Sequence, residues 1–226
     1  MTEHRAASTE EQDEAALLAE IDAELAAERR VRRRAPESRT GLVLLIGGAI
    51  GWIAALMLLI DKLYLLSHPG AVLGCDINPF ISCGSVMVTW QSNAFGIPNM
   101  AIGLAGFAIM GATGALLASR TVLPRWYRWA TWGGMAFAFA FVHFLAYSAI
   151  VVIGALCPWC MVVWAATAPM FFATTAFIIE QERPRLPGGL AGLLRHWVVL
   201  TLVWYVLVAA VIAVAFLPQW QAMFGL

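Results

Sequence analysis

Apolar residues fill five long stretches of the chain, at approximately 42–66, 97–118, 126–153, 157–179 and 197–217. Each stretch reaches the length of about 20 residues that an apolar helix needs to cross a bilayer. Backbone groups that lack hydrogen bonds are strongly unfavourable in lipid, so each stretch is expected to form a helix rather than an open strand. The pattern therefore predicts an all-α integral membrane protein with five transmembrane helices.

The amino-acid composition agrees with this pattern. Hydrophobic residues make up 61% of the 226 residues, and charged residues make up only 12%. Soluble domains are about 45–50% apolar and about 25% charged, so an ordinary soluble domain is excluded. Glycines recur along the first two apolar stretches, and we expect them to let the helices pack closely within one bundle.

Residues 1–40 precede the first apolar stretch and differ from it in composition. Ten of the 14 acidic residues lie before residue 38, and six arginines lie within 29–39. The segment lacks the basic start and short apolar core of a signal peptide, and its Ala, Glu and Leu content favours a surface helix. Arginines just before a spanning helix are typical of a topology anchor. We therefore expect a cytoplasmic tail and no nucleic-acid partner, although a basic nucleic-acid patch is the alternative.

The distribution of basic residues predicts the orientation. With the N-terminus in the cytoplasm, 13 of the 14 Lys and Arg residues lie inside, and only Lys62 lies outside. Cytoplasmic loops are enriched in Lys and Arg, so we expect this orientation in a plasma or inner cell membrane. The C-terminus and all four cysteines then lie on the outer face. Asp61 and Lys62 are expected at the membrane interface.

The five stretches and this orientation divide the chain into three parts. Residues 1–40 form the cytoplasmic tail. Residues 41–182 form a four-helix core that carries an outer cysteine loop at 67–96. Residues 183–226 comprise a cytoplasmic loop, the fifth transmembrane helix and a short outer C-terminus.

The four cysteines form two pairs on the expected outer face. Cys157 and Cys160 lie in the sequence CPWC at the start of the fourth stretch, and Cys75 and Cys83 lie in the loop sequence CDINPFISC. In a C-x-x-C sequence at a helix start, free N–H groups favour a thiolate at the first sulfur. A thiolate is the species that attacks disulfides. One pair fixed at the membrane and one in an accessible loop have the layout of a thiol relay.

Two other interpretations of the cysteines stay open. They can form two structural disulfides, which an oxidising compartment preserves, in a membrane scaffold without chemistry. They can also bind zinc, although the C-x7-C spacing is longer than the usual spacing between zinc ligands. We expect no metal.

The sequence around the cysteines resembles the vitamin K epoxide reductase family. The resemblance rests on CDI and SCGSV within 75–86, on QSNAFG at 91–96 and on CPWC at 157–160, and it covers roughly residues 42–180. It implies a four-helix catalytic bundle plus one additional helix. Bacterial members are DsbB-like in role: they oxidise a periplasmic thioredoxin-like protein and pass the electrons to a membrane quinone.

The resemblance implies a role for each cysteine. Cys75 meets the substrate outside the membrane, and Cys83 hands electrons to Cys157. Cys160 is the redox cysteine beside the quinone. Because a dithiol supplies two electrons, a quinone dissolved in the bilayer is a suitable acceptor. The protein then contributes positioning, and the quinone contributes the redox chemistry.

The resemblance also implies three quinone-binding residues, Met87, Asn93 and Trp164. Asn93 corresponds to an asparagine that hydrogen-bonds a quinone oxygen in the family, and a turn or helix-cap asparagine is the alternative. Trp164 departs from the tyrosine that animal members carry at this position. This departure argues against epoxide reduction.

The expected function is therefore that of a quinone-dependent thiol oxidoreductase that forms disulfides. The quinone is of the menaquinone or ubiquinone type. Many bacterial relatives carry a fused thioredoxin domain after the fifth helix, whereas this sequence continues for only nine residues beyond Leu217. We therefore expect a separate thioredoxin-like (DsbA-like) partner on the outer face. The alternative enzyme is a reductase of a quinone or a quinone epoxide as its main role.

Overall fold

The computed structural model describes residues 2–182, 184 and 187–224, and the side chains of 16–27, 38–182, 184 and 187–221. Within this part of the chain, the α-helices are α1 (Thr2–Ser67), α2 (Cys83–Met87), α3 (Asn99–Ala118), α4 (Arg125–Tyr147), α5 (Pro158–Glu182), α6 (Gly188–Arg195), α7 (Trp197–Ala215) and α8 (Leu217–Phe224). A short 3-10 helix, Trp90–Asn93, precedes α3, and a π-helix, Ser148–Ile153, extends α4. The only extended pairing among the described residues consists of two isolated β-bridges.

Five helical segments are long and apolar enough to cross a membrane: Ser38–Ser67, Asn99–Ala118, Arg125–Ile153, Pro158–Glu182 and Trp197–Ala215. They coincide with the five apolar stretches of the sequence. The predicted all-α membrane fold with five spanning helices is confirmed, and the chain is a multi-pass membrane protein. The first span is the C-terminal part of α1, which continues back to Thr2. The side chains of the arginines at 29–34 lie outside the described residues.

Helix α5 lies at the centre of the bundle. It packs against α1, α4 and α7, and α1 also packs along α3. About two thirds of the α5 span is buried (67%), compared with 6% of the α7 span. Helices α1, α3, α4 and α5 therefore form the four-helix bundle, and α7 is the additional helix on its outside.

The crossing of α1 and α3 depends on glycine. A Cβ atom on Gly114 would lie 2.3 Å from the backbone nitrogen of Leu45, and a Cβ atom on Gly48 would lie 2.7 Å from Gly111 Cα. No side chain fits at such distances, so the two backbones are in direct contact. The expected close helix packing is confirmed at this crossing.

The ends of α4 and α5 opposite the cysteines are joined by charges. The Glu182 carboxylate pairs with Arg125 at 2.7 Å and with Arg128. The Glu182 side chain is 6% exposed, the Arg128 side chain 18% and the Arg125 side chain 74%. The buried Glu182–Arg128 pair therefore fixes the start of α4 to the end of α5.

Candidate functional site

The CPWC sequence forms the N-terminus of α5. Cys157 directly precedes Pro158, the first helical residue, where the missing N–H of proline is tolerated. The Cys160 N–H donates a hydrogen bond to Cys157 Sγ at 3.4 Å, as the third helical residue does to an N-cap side chain. Both thiols are free, with Cys157 buried and Cys160 half-buried. The start of the helix thus holds the two sulfurs side by side.

Hydrogen bonds at the start of α5 also lower the pKa of Cys157. A hydrogen bond from the Cys160 thiol lowers the pKa of Cys157, and the backbone N–H groups of Cys160 and Trp159 lower this pKa further. They outweigh burial and the charge of Asp61, both of which raise the pKa. Cys157 therefore ionises more readily than an ordinary buried thiol, in the direction expected for the first cysteine of C-x-x-C.

The second cysteine pair forms a disulfide directly beside Cys157. Cys75 and Cys83 are bonded, with their Cα atoms 5.7 Å apart. Cys83 is buried and Cys75 is half-buried. The Cys157 sulfur lies 3.4 Å from the Cys83 sulfur, so a thiol and a disulfide are in contact. Thiol–disulfide exchange begins when a thiolate sulfur approaches a disulfide sulfur, and this contact provides the approach. Because Cys75 and Cys83 are bonded to each other, neither residue is a thiolate that could bind a metal ion in this state.

Asp76 organises the loop between Cys75 and Cys83. Its carboxylate accepts hydrogen bonds from Leu73 N at 2.8 Å, Gly84 N at 2.9 Å and Ser82 Oγ at 2.7 Å. Burial raises the pKa of Asp76, but these hydrogen bonds outweigh burial and leave the pKa below its usual value. The charged carboxylate therefore holds the two ends of the loop together at neutral pH.

A second set of contacts attaches this loop to the bundle. Leu156 N donates to Phe80 O at 2.8 Å, and Ser82 N donates to Leu156 O at 2.9 Å. The Phe80 ring is buried against Phe216, with ring centroids 6.1 Å apart, and against Trp220 at 5.3 Å. The residues that follow α7 thus hold the loop over the start of α5.

A cavity of about 390 Å³ lies beside Cys157 and Cys160, called here the inner cysteine pair. Cys157 and Cys160 both border it, and the rest of its lining comes mainly from apolar side chains of α1, α3, α4 and α5. Met87 and Trp164, two of the three predicted quinone-binding residues, lie in the lining and are buried. The cavity therefore brings two of these residues together with the cysteines.

The third predicted residue, Asn93, is not among the lining residues. Its Nδ2 donates to Ser92 Oγ at 3.0 Å. The amides of Gln91 and Asn99 border the cavity. Gln91 is 7% exposed, and its Oε1 has no hydrogen-bond partner among the described residues. Asn99 fixes this segment, because its Nδ2 donates to Gln91 O at 2.6 Å and its Oδ1 accepts from Ala94 N at 3.1 Å. The role of Asn93 stays a prediction.

Lys62 and Asp61 lie near the site and make specific contacts that the sequence did not indicate. Lys62 is buried, and its Nζ donates to Met87 O at 2.5 Å and to Ser92 Oγ at 3.3 Å, while its position at the membrane interface stays a prediction. It thereby joins α1 to α2 and to the 3-10 helix. Asp61 places Oδ2 3.6 Å from Cys75 Sγ. Only the position of both residues near the end of an apolar stretch was visible in the sequence.

Comparison with protein families gives a match to the vitamin K epoxide reductase family over residues 42–175. The match covers more than half of the chain and includes both cysteine pairs and the QSN sequence. No curated protein matches the sequence. The match agrees with the resemblance that these sequences carry, and with the membrane helices and the disulfide beside a thiol. The chain therefore belongs to the vitamin K epoxide reductase family, a family of membrane oxidoreductases.

Proposed function

We propose that this oxidoreductase forms disulfides in a thioredoxin-like (DsbA-like) partner and passes the electrons to a membrane quinone. The observation that carries the proposal is the position of Cys157. Its sulfur lies 3.4 Å from Cys83 of the loop disulfide, and its C-x-x-C partner Cys160 borders an apolar cavity. The four sulfurs thus form a continuous path from an accessible loop to an apolar site.

Electrons enter the path at Cys75, because Cys75 is half-buried whereas Cys83 is buried. A thiolate of the partner attacks Cys75 Sγ. A bond forms between these two sulfurs, the Cys75–Cys83 bond breaks, and Cys83 leaves with the electron pair. The second thiolate of the partner then attacks the first partner sulfur, which releases the oxidised partner and a Cys75 thiolate.

The second exchange moves the two electrons inward. Cys83 attacks Cys157 of a Cys157–Cys160 disulfide, so that a Cys83–Cys157 bond forms and Cys160 leaves as a thiolate. Cys75 then attacks Cys83, which restores the loop disulfide and releases Cys157 with the electron pair. The product has a loop disulfide and two inner thiols, the state that the structure contains.

The cavity suits a quinone in size and chemistry. Its volume of about 390 Å³ falls in the range of about 300–1,000 Å³ typical of small-molecule sites. Apolar side chains of α1, α3, α4 and α5 line it, so it can accept an apolar ring. A bound quinone of the menaquinone or ubiquinone type supplies the acceptor for two electrons and two protons.

Gln91 is our candidate for the polar contact in the cavity. Its amide carries both a donor and an acceptor, so it can bond a carbonyl oxygen or a hydroxyl group. The buried Oε1 lacks a partner among the described residues, and a buried polar atom without a partner is unfavourable. Met87 and Trp164 supply apolar walls. Asn93 remains a second candidate, and it must turn towards the cavity because it is not among the lining residues.

The proposed orientation places the cysteines on the outer face of the cell membrane and the N-terminus in the cytoplasm. The structure puts Arg125, Arg128 and Glu182 at the opposite ends of α4 and α5 from Cys157. Basic residues favour the cytoplasmic side, and disulfides persist on the outer side. The two rules therefore agree on one orientation.

The enzymatic test uses the purified chain in detergent, a reduced thioredoxin-like protein and a short-chain quinone. We expect one partner disulfide to form for each quinone reduced, and no reaction without quinone. Cys160→Ala should abolish quinone reduction, whereas an added chemical oxidant should still form Cys75–Cys83 in this variant. Quinone reduction by a small dithiol without partner oxidation would instead support a quinone reductase, and the absence of both reactions would support a scaffold.

The partner is tested separately by trapping. A thioredoxin-like protein that lacks its second C-x-x-C cysteine cannot resolve the mixed disulfide, so a covalent complex should appear on a non-reducing gel. With the loop disulfide first formed by added oxidant, the complex should survive Cys157→Ser and vanish with Cys75→Ser. A complex that depends on Cys157 and not on Cys75 would refute the proposed order of the relay.

A further inference from the structure

Asp61 places a carboxylate against the loop disulfide. Its Oδ2 lies 3.6 Å from Cys75 Sγ, and an Asp61 oxygen and the sulfurs of Cys75 and Cys83 lie within 4.8 Å of one another. In the disulfide, Cys75 carries no proton, so this approach is a contact and not a hydrogen bond. When the disulfide is reduced, the Cys75 thiol gains a proton, and Asp61 is the acceptor beside it.

No other described group bonds to the Asp61 carboxylate. The neighbouring Lys62 directs its Nζ to Met87 O and Ser92 Oγ. Asp76 and the Cys157 thiol interact with Asp61 electrostatically, but the Asp76 oxygens are used by the loop. The two described ion pairs lie elsewhere, at Glu182. The Asp61 carboxylate is therefore available to exchange a proton with Cys75.

We propose that Asp61 is the catalytic proton acceptor for Cys75 when Cys75 closes the loop disulfide. The proposal rests on the proposed relay, in which a Cys83–Cys157 disulfide forms first. The Cys75 thiol gives its proton to the Asp61 carboxylate and attacks Cys83 Sγ. The Cys75–Cys83 bond forms, the Cys83–Cys157 bond breaks, and Cys157 leaves as a thiolate with the electron pair. The proton then passes from the Asp61 carboxyl to the outer solution.

The rate acceleration that deprotonation of Cys75 can provide has an upper limit. A thiol with the ordinary pKa of about 8.5 is only about 3% thiolate at pH 7, so complete deprotonation accelerates its attack at most about 30-fold. General-base catalysis elsewhere contributes about 10²–10⁴-fold, which exceeds this limit. We therefore expect loss of the base to slow the step by about 5- to 30-fold at pH 7.

The test isolates this step in a Cys160→Ala background, which needs neither quinone nor partner. Here the Cys75–Cys83 and Cys83–Cys157 disulfides interconvert. A pH jump shifts their balance, and the relaxation rate is followed by acid quenching, thiol alkylation and mass spectrometry. Asp61→Asn keeps the shape of the side chain and removes the base, whereas Asp61→Glu keeps a carboxylate and serves as the matched control.

With Asp61 present, the relaxation rate should change little between pH 7 and pH 9. With Asp61→Asn, it should be about 5- to 30-fold lower at pH 7 and should approach the Asp61 rate by pH 9, because hydroxide then ionises the thiol. Asp61→Glu should restore at least part of the rate. A merely structural loss would lower the rate equally at every pH and would overturn the proposal, as would an unchanged rate at pH 7. Failure of the Cys83–Cys157 disulfide to form with Asp61 present would refute the relay itself.

Discussion

Phe80→Ala should detach the cysteine loop from the bundle and slow the exchange between Cys83 and Cys157. Phe80 is 9% exposed, and its ring packs against Phe216 and Trp220. Truncation of a buried phenylalanine to alanine is unfavourable by about 3–5 kcal/mol. The backbone hydrogen bonds between Phe80, Ser82 and Leu156 survive the change, so we take the lower value for the loop.

A loss of about 3 kcal/mol in docking reduces the effective concentration of Cys83 near Cys157 about 100-fold, because each 1.4 kcal/mol corresponds to a factor of ten. The assay again uses Cys160→Ala, in which attack of Cys157 on the loop disulfide frees Cys75. The rate at which Cys75 becomes reactive towards a maleimide reports the exchange. Phe80→Ala should lower this rate between about tenfold and 100-fold.

Ile77→Ala is the matched control, because Ile77 lies in the same loop and its side chain is 69% exposed. Its exchange rate should stay within about twofold of the parent, since surface substitutions usually change stability by less than about 0.5 kcal/mol. Phe216→Ala removes a ring that packs against Phe80 and should also slow the exchange. A Phe80→Ala rate within about threefold of the parent would refute the idea that this aromatic contact holds the loop.

Three further predictions concern other parts of the molecule. A reporter fused to the C-terminus should appear on the outer face, and a cytoplasmic signal would contradict the proposed orientation. Trp164→Phe should keep most of the quinone turnover, because we assign the indole ring to packing; a loss beyond about tenfold, or about 1.4 kcal/mol of barrier, would indicate a direct role. Glu182→Gln should lower the free energy of unfolding in detergent by about 2–3 kcal/mol, because the partly buried Arg128 loses its charged partner and keeps only the hydrogen bond to Leu123 O. Arg125→Ala should lower it by less than about 1 kcal/mol, and equal effects would contradict the assignment of the buried pair.

The spanning helices were predictable because hydropathy acts over whole segments. An apolar run of membrane length has no other stable conformation in lipid, so the five stretches define the helices to within a few residues. The ends are set by local features that the run does not show. Helix α5, the fourth spanning helix, begins at Pro158 because Cys157 caps it. Helix α4, the third spanning helix, continues into a π-helix up to Ile153.

The surroundings of the cysteines were less predictable, because they depend on contacts between distant parts of the chain. Phe80 is held by Phe216 and Trp220, and no periodic pattern links the loop to the residues after α7. The contact of Asp61 with Cys75 likewise requires the loop to fold back over the end of α1. In each case the residue is known from the sequence, but the residue that it contacts cannot be predicted from the sequence.

The quinone-binding residues show the same limit at shorter range. Gln91 and Asn93 both lie in the QSN sequence, and both amides suit a quinone oxygen. Which of them faces the cavity depends on the turn of a four-residue 3-10 helix and on the hydrogen bonds of Asn99. The resemblance to the family points to Asn93, whereas the structure places Gln91 at the cavity.

In the proposed relay, electrons pass from the loop cysteines through Cys157 and Cys160 to a quinone. The most direct measurement mixes the fully reduced chain with one equivalent of a short-chain quinone and maps the disulfides over time by acid quenching and mass spectrometry. We predict that Cys157–Cys160 forms first, that Cys83–Cys157 appears transiently, and that Cys75–Cys83 forms last. If Cys75–Cys83 forms first, or forms as fast in Cys160→Ala as in the parent chain, electrons reach the quinone without the inner pair and the claim is wrong.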